Sequence, residues 1–192
     1  MKFVVMPGQA RERVTPDSRA EPDKLPFSAP GFPAPAFGRP GNDDSPGTRP
    51  MPSYDPNNIF AKILRGELPC HKVYEDDKAF AFLDIMPRAP GHTLVLPKAP
   101  ARNLLDCPPD DLAHVAKVAQ QVAKAAMKAF DADGITMQQF NESAGGQVVF
   151  HLHVHIIPRK TGVMMKPPAS EKEKPEVLAE QAKRLAAALA AG

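Results

Sequence analysis

Strict alternation of polar and apolar residues is clearest at residues 151–155, where three histidines are interleaved with a leucine and a valine. A β-strand repeats its side-chain direction every second residue, so this pattern predicts a strand with all three imidazoles on one face. Neighbouring imidazoles then start about 6.6 Å apart at their Cα atoms, from the rise of a strand. Because histidine serves as acid, base, nucleophile or metal ligand near neutral pH, this histidine row (His151, His153 and His155) is a candidate reaction centre.

The remaining periodicities predict an α+β domain on an antiparallel sheet, with one long helix and one or two shorter ones. Asn57 or Asn58 can cap a short first helix that Gly66 ends. The apolar residues of the long helix recur at near-3.6 spacing. The predicted order is a helix from about 59, strands 72–75, 79–83 and 92–96, a long helix 110–130, strands 135–141 and 148–157, and a helix from 175.

Composition divides the chain into three parts. Residues 1–50 hold 10 of the 23 prolines, with glycines, mixed charges and no periodicity. Such a segment cannot bury enough apolar surface to offset its ordering entropy, so we expect a disordered arm over residues 1–54. A domain over residues 55–160 and a C-terminal loop and helix over residues 161–192 complete the predicted organisation.

Charge and hydropathy narrow the classes of function. The net charge is +2 and no basic stripe is interleaved with aromatic residues, so we expect no nucleic-acid partner. No apolar run approaches the roughly 20 residues of a membrane helix, and the apolar stretch at residues 3–6 is short for a signal peptide, which favours the cytoplasm. Two cysteines without a C-x-x-C pair make a disulfide framework or a cysteine zinc site unexpected.

Two kinds of chemistry remain open for the histidine row. Alternating histidines can bind zinc, but a catalytic zinc needs further ligands, and the nearest carboxylate in the sequence is Glu142, in a turn. Alternatively, a neutral imidazole can attack phosphorus while the other histidines bind the phosphoryl oxygens. The tripeptide at residues 145–147, Gly-Gly-Gln, favours the second interpretation because its backbone N–H groups can approach an anion.

Residues 141–159 resemble the signature of the histidine triad (HIT) family, whose pattern is His-φ-His-φ-His-φ-φ, where φ is an apolar residue. Upstream, residues 58–69 are similar to the family's opening helix, and residues 82–87 and 91–98 to its central strands. The resemblance covers about residues 55–159 and is greatest to the Hint-like branch of purine nucleotide phosphoramidases.

The resemblance implies roles for four histidines. His153 is the expected nucleophile, which takes the nucleotidyl group from the α-phosphate. His155 is expected to contact that phosphate, and the backbone carbonyl of His151 to hold the His153 ring. His92 matches a fourth histidine that supports the cluster.

It also implies a nucleotide-binding set. Asp84 is expected to accept hydrogen bonds from the ribose hydroxyls. The apolar slot for the purine is expected from Ile59, Phe60, Ile63, Phe82 and Ile85, and contacts to the phosphate or leaving group from Asn141, Gly146, Gln147 and Val148. Many Hint-like members carry a hydroxyl residue where this chain has Val148. Because valine cannot donate a proton, leaving-group assistance is expected to be weaker or to come from water.

The expected activity is therefore substitution at the α-phosphorus of purine nucleoside phosphoramidates or related mixed anhydrides, with no metal and no cofactor. The alternatives are a dinucleoside polyphosphate hydrolase, a nucleotide-binding regulatory protein with incidental activity, and a zinc protein. The partners expected are a small-molecule nucleotide and a second copy of the chain. In the two-fold homodimer that the resemblance implies, the long helix lies at the interface, although packing on its own sheet explains its apolar face equally well.

Overall fold

The computed structural model describes residues 52–192, so most of the predicted N-terminal arm lies outside the described residues. The predicted α+β architecture and order of elements are confirmed. The elements are α1 (Ile59–Leu64), β1 (Lys72–Glu75), β2 (Ala79–Leu83), β3 (Thr93–Pro97), α2 (Pro109–Ala129), β4 (Gly134–Gln138), a 3₁₀ turn (Ser143–Gly145), β5 (Val154–Arg159) and α3 (Pro175–Ala190).

The five strands form one sheet in the order β1-β2-β3-β5-β4, and every neighbouring pair is antiparallel. Strands β2 and β5, which are distant in the sequence, therefore flank β3. This order places the end of β2 and the start of β3 close to the start of β5. This arrangement brings Asp84, His92 and His155 together.

Alternate residues of the central strands face two separate cores. Ala81 of β2, Val95 of β3 and Val154 of β5 belong to the core shared with α2 and α3. Phe82 and Leu94 point the other way, into a smaller core with Phe60 of α1. Because side chains alternate along a strand, His155 lies on the α1 side of the sheet, opposite α2.

The long helix α2 has its buried residues against its own sheet. Val115, Val118 and Val122 are each at most 2% exposed within the large core. Packing within the chain therefore accounts for this apolar face, and the two-fold dimer stays a prediction. Among residues 52–192, the helices lack the combination of length and apolar character that a membrane span requires.

Side-chain bonds set the ends of the elements near the site. The Asn58 side chain caps α1 by accepting from the backbone N–H groups of Phe60 at 3.0 Å and Ala61 at 2.9 Å. Gly91, just before β3, has a φ of +79°, a conformation that favours glycine, and its N–H donates to Gln181 of α3 at 2.8 Å. These bonds fix α1 and the residue that precedes His92.

The predicted strand 148–157 is wrong at its N-terminal end, because β5 begins only at Val154. The preceding segment is tied to a loop instead: the N–H of Leu152 donates to the carbonyl of Ala101 at 2.8 Å. Likewise, β4 ends at Gln138 rather than at 141. His151 and His153 therefore precede β5, and His155 lies within it.

Candidate active site

His153 is held in one defined orientation by the chain itself. Its Nδ1 lies 2.6 Å from the backbone carbonyl oxygen of His151, and a carbonyl only accepts hydrogen bonds. Nδ1 therefore carries the proton and Nε2 carries the lone pair. Burial lowers the pKa of His153, although the bond to His151 raises it in part, so the ring stays neutral near pH 7.

Aromatic rings enclose His153. The Phe60 ring of α1 meets it edge-on, with 4.9 Å between ring centroids, and the His155 ring lies at the same distance on another side. Phe60 in turn packs edge-on against Phe82 of β2 at 5.6 Å. These contacts leave His153 only 7% exposed and restrict the rotation of its ring.

A chain of hydrogen bonds determines the tautomers of His92 and His155. The backbone N–H of Arg88 donates to Nδ1 of His92 at 3.3 Å. Nε2 of His92 therefore carries its proton and donates to Nδ1 of His155 at 2.9 Å. As a result, the remaining N–H of His155, on Nε2, is left as a donor for an external acceptor.

Both of these histidines are kept neutral. Burial, the charge of Arg88 and the nearby His153 lower the pKa of His92 to about 4. Burial, His153, His92 and Arg88 lower the pKa of His155 to about 3. Near pH 7 the site therefore combines one nucleophilic nitrogen with one aligned N–H donor, and none of these rings is charged.

A carboxylate lies beside His92, a contact that the sequence did not predict. Asp84 Oδ2 is 3.5 Å from Nδ1 of His92, because the end of β2 lies beside the start of β3. Its Oδ1 accepts from the N–H of Met86 at 2.8 Å, and burial raises the pKa of Asp84. Glu142, the carboxylate nearest to the histidine row in the sequence, instead forms an ion pair with Arg102 at 2.7 Å.

Asp84, His92 and His155 also form a group that can hold a metal ion. Each offers one ligand atom, and these atoms lie within 4.8 Å of one another. Imidazole nitrogen and carboxylate oxygen are both ligands that suit zinc. However, Nε2 of His92 already donates a hydrogen bond to Nδ1 of His155. A metal ion that binds either nitrogen has to displace that hydrogen bond.

The residues predicted to form the purine slot divide into two groups. Phe60 and Phe82 are buried, and Ile63 packs partly buried against the same core. Ile59 and Ile85 are 47% and 42% exposed, which leaves apolar side chains available at the surface. The structure therefore brings Phe60 to His153 and leaves Ile59 and Ile85 on the outside.

Gln147 makes its side-chain hydrogen bonds to the backbone. Its amide nitrogen donates to the carbonyls of Arg102 at 2.7 Å and Val149 at 3.0 Å, and its amide oxygen accepts from the N–H of Glu142 at 2.8 Å. Gln147 is only 4% exposed. Its amide therefore shapes the loop rather than pointing outward.

The other loop residues differ in their exposure and contacts. Asn141 accepts from the N–H of Leu104 at 3.0 Å and donates to Gln139 at 2.8 Å. Gly146 has a φ of +89°, and Val148 points outward, with 86% of the residue exposed. Phe140, which the sequence did not single out, lies under Gly146 and places its ring 5.6 Å from that of His155.

His151 is completely buried, and both nitrogens of its ring bond other parts of the chain. Its Nε2 lies 2.9 Å from the carbonyl oxygen of Pro97, and its Nδ1 lies 2.7 Å from the hydroxyl of Tyr54. Burial lowers its pKa to about 4. The sequence did not predict a role for Tyr54, since no local pattern connects residues 97 positions apart.

A known protein family matches the part of the chain that carries this geometry. The family model described as the HIT domain matches residues 65–162. The chain is 42% identical over 102 residues to a protein named adenylylsulfatase HINT3 of Arabidopsis thaliana, covering 53% of this chain and 52% of that protein. It therefore spans about half the length of that relative.

Two solved structures are similar over most of the described residues. A HIT-like protein of Bartonella henselae is 54% identical with a TM-score of 0.67, covering 71% of this chain and 99% of that one. A zinc-bound histidine triad family protein of Mycobacterium smegmatis is 37% identical with a TM-score of 0.62. The match covers 70% of this chain and 94% of that one. With the family model matching just over half of its residues, the chain belongs to the HIT domain family.

Proposed function

We propose that this chain is a nucleotide hydrolase or nucleotidyl transferase that acts at the α-phosphorus of purine nucleoside phosphoramidates or related mixed anhydrides. One observation supports this more than any other. The 2.6 Å contact between His153 Nδ1 and the His151 carbonyl leaves Nε2 of a neutral, oriented imidazole as a free lone pair. Such a nitrogen is an effective nucleophile near neutral pH.

The proposed reaction has two displacements. In the first, Nε2 of His153 forms a bond to the α-phosphorus while the bond from phosphorus to the leaving group breaks. The positive charge on the nucleotidyl-imidazole is stabilised by the His151 carbonyl through Nδ1–H. In the second, water attacks the same phosphorus and loses one proton to solvent, the N–P bond breaks, and a nucleoside monophosphate and neutral His153 are released.

The hydrogen-bonded pair of His92 and His155 supports this reaction. Its outer N–H, on Nε2 of His155, is a donor for a non-bridging phosphoryl oxygen, where negative charge is concentrated during displacement. Val148 has no proton to give, so the leaving group takes its proton from water in this proposal. We assign Asp84 to the ribose hydroxyls and the exposed Ile59 and Ile85 to the base.

The Arabidopsis relative favours mixed anhydrides as a substrate class. Its name describes hydrolysis of adenylyl sulfate, in which sulfate is attached to the α-phosphorus of adenosine monophosphate. A sulfate leaving group needs no proton, which suits a site with Val148 in place of a hydroxyl residue. Dinucleoside polyphosphates present a similar α-phosphorus and remain the first alternative substrate, and a nucleotide-binding regulatory protein predicts tight binding with very slow turnover.

Zinc binding is a second candidate function. It is favoured by the cluster of Asp84, His92 and His155 and by the zinc-bound relative from Mycobacterium smegmatis. A zinc protein predicts stoichiometric metal after purification and loss of activity with a chelator. The nucleotidyl transfer mechanism predicts activity that is retained in the chelator.

The test is a substrate panel with a covalent-intermediate assay. Adenosine phosphoramidate, adenylyl sulfate and diadenosine polyphosphate are assayed with and without chelator, and the reaction is quenched for mass spectrometry. We expect a nucleotidyl mass increase located on His153, and loss of turnover in His153→Ala. His71→Ala, which changes a partly exposed histidine before β1, is the matched control. Turnover that survives His153→Ala contradicts the mechanism.

A further inference from the structure

Tyr54 makes a contact with the histidine row from outside the matched family segment, which begins at residue 65. Its hydroxyl oxygen lies 2.7 Å from Nδ1 of His151, and the two rings meet edge-on with 5.5 Å between centroids. The chain that follows Tyr54 is fixed by local bonds. Asp55 accepts from the N–H of Asn57 at 2.8 Å, and Asn58 donates to the Asp55 carbonyl at 2.7 Å.

The direction of the hydrogen bond follows from the other side of the ring. Nε2 of His151 lies 2.9 Å from the carbonyl oxygen of Pro97, so Nε2 has to carry the proton. Nδ1 is therefore an acceptor, and the Tyr54 hydroxyl is its donor. Burial raises the pKa of Tyr54, which keeps the phenol protonated at neutral pH.

This bond satisfies a polar atom that has no access to water. His151 is 0% exposed, so loss of the hydroxyl leaves Nδ1 without a donor in the protein interior. The ring is then held only by its bond to the Pro97 carbonyl, and we expect it to shift toward another donor for Nδ1. Because the carbonyl of His151 accepts the Nδ1–H of His153, any change in the backbone of His151 moves the partner that orients the nucleophile.

We infer that Tyr54 is a positioning residue for nucleotidyl transfer: its hydroxyl holds the ring of His151 through Nδ1, and the carbonyl of His151 orients His153. This inference rests on the proposed function. The segment before α1 thereby supports the reaction centre through His151. We expect the contribution of Tyr54 in kcat, because its hydroxyl bonds His151 and so acts through the partner that orients the nucleophile.

The experiment compares two conservative variants, since the chain has only two tyrosines. Tyr54→Phe removes the hydroxyl and keeps the ring. Tyr74→Phe is the matched control, because its hydroxyl also hydrogen-bonds a side chain, Asp76, at 2.7 Å. With an adenosine phosphoramidate we expect Tyr54→Phe to lower kcat about tenfold with KM changed less than about twofold, and Tyr74→Phe to leave both near the wild-type values.

The tautomer of His151 gives a readout that does not depend on activity. In ¹⁵N-labelled wild-type protein we expect the His151 signals of a neutral Nε2–H tautomer across pH 6–8, because Nε2 donates to the Pro97 carbonyl. In Tyr54→Phe we expect the same tautomer, with the signal of the unprotonated Nδ1 shifted because that nitrogen has lost its donor. A wild-type His151 that carries its proton on Nδ1 overturns the inference even if Tyr54→Phe does not fold. The inference is also overturned if Tyr54→Phe leaves kcat unchanged, if it changes only KM, or if Tyr74→Phe loses as much kcat as Tyr54→Phe. If the wild type forms no nucleotidyl-His153, the proposed function fails while the tautomer measurement still tests the role of Tyr54.

Discussion

Lowering the pH from 7.5 to 5.5 is expected to destabilise the fold through its buried histidines. His92 and His151 are 2% and 0% exposed, and the pKa of each is about 4 in the folded protein, against 6.5 for an unperturbed imidazole. Below pH 6.5 the unfolded chain binds protons at these two histidines, whereas the folded chain does not. The contribution of the two neutral histidines to the free energy of unfolding is therefore fully present above pH 6.5. It is then lost as the pH falls through 6.5 toward 4.

The magnitude follows from proton linkage. Between pH 7.5 and 5.5, a group that titrates at 6.5 when unfolded and at about 4 when folded reduces the free energy of unfolding by about 1.3 kcal/mol. His92 and His151 together contribute about 2.7 kcal/mol, a large share of the roughly 5–15 kcal/mol that stabilises a typical domain. The lowered pKa values of His153 and His155 act in the same direction, and the raised pKa of Asp84 acts against them.

Urea unfolding followed by circular dichroism at 222 nm measures this loss, since the chain has no tryptophan. With an m-value of about 2 kcal/mol per molar urea, the His92 and His151 contribution alone lowers the midpoint by about 1.3 M. His92→Gln removes one of these two groups and should flatten the pH dependence, whatever its effect on stability at pH 7.5. A free energy of unfolding that is level or rises toward pH 5.5 would refute the reasoning, as would an unchanged slope in His92→Gln.

Three further predictions concern activity and the loop before β3. The acid limb of kcat/KM should lie below pH 6.5 in a pH–rate profile, because burial lowers the pKa of His153; a limb at or above 6.5 contradicts this. Asp84→Asn, which keeps the Oδ1 acceptor for the N–H of Met86, should raise KM about tenfold for a ribonucleoside phosphoramidate. A 2′,3′-dideoxy substrate should show no such change, and an equal effect on both argues against ribose binding. Gly91→Ala should reduce the free energy of unfolding by about 2 kcal/mol or more, because its φ is +79° and a Cβ there meets the Phe130 ring. An unchanged denaturation midpoint contradicts that account.

Local patterns were sufficient for the order of elements and for the chemistry of the histidine row. Helix and strand periods depend on residues a few positions apart, so the cap at Asn58 and the face of α2 could be predicted without the fold. The alternation also holds where it matters: His153 and His155 face α1, while Val154 belongs to the core with α2. The start of β5 was predicted wrongly, because backbone pairing depends on a partner strand that the local pattern does not specify.

Loop residues show a second limit of local reasoning. The family resemblance implied a contact from Gln147 to the phosphate or the leaving group. In the fold its amide bonds to three backbone groups, including the carbonyl of Arg102, 45 residues away. A side chain's donors go to whichever acceptors the tertiary structure brings within reach, and the sequence does not reveal that competition.

The sequence by itself determined that three imidazoles alternate with apolar residues at the start of a strand, and hence that a cluster of titratable rings meets the sheet. Only the tertiary structure decided which nitrogen carries the proton in His151, His92 and His155. That depends on Pro97 and Tyr54 for His151, and on Arg88 for His92 and, through it, His155. These partners come from other parts of the chain, and Pro97 and Arg88 reach the rings because β3 lies between β2 and β5 in the sheet. A tautomer is set by the donors and acceptors around a ring, and those are a property of the fold.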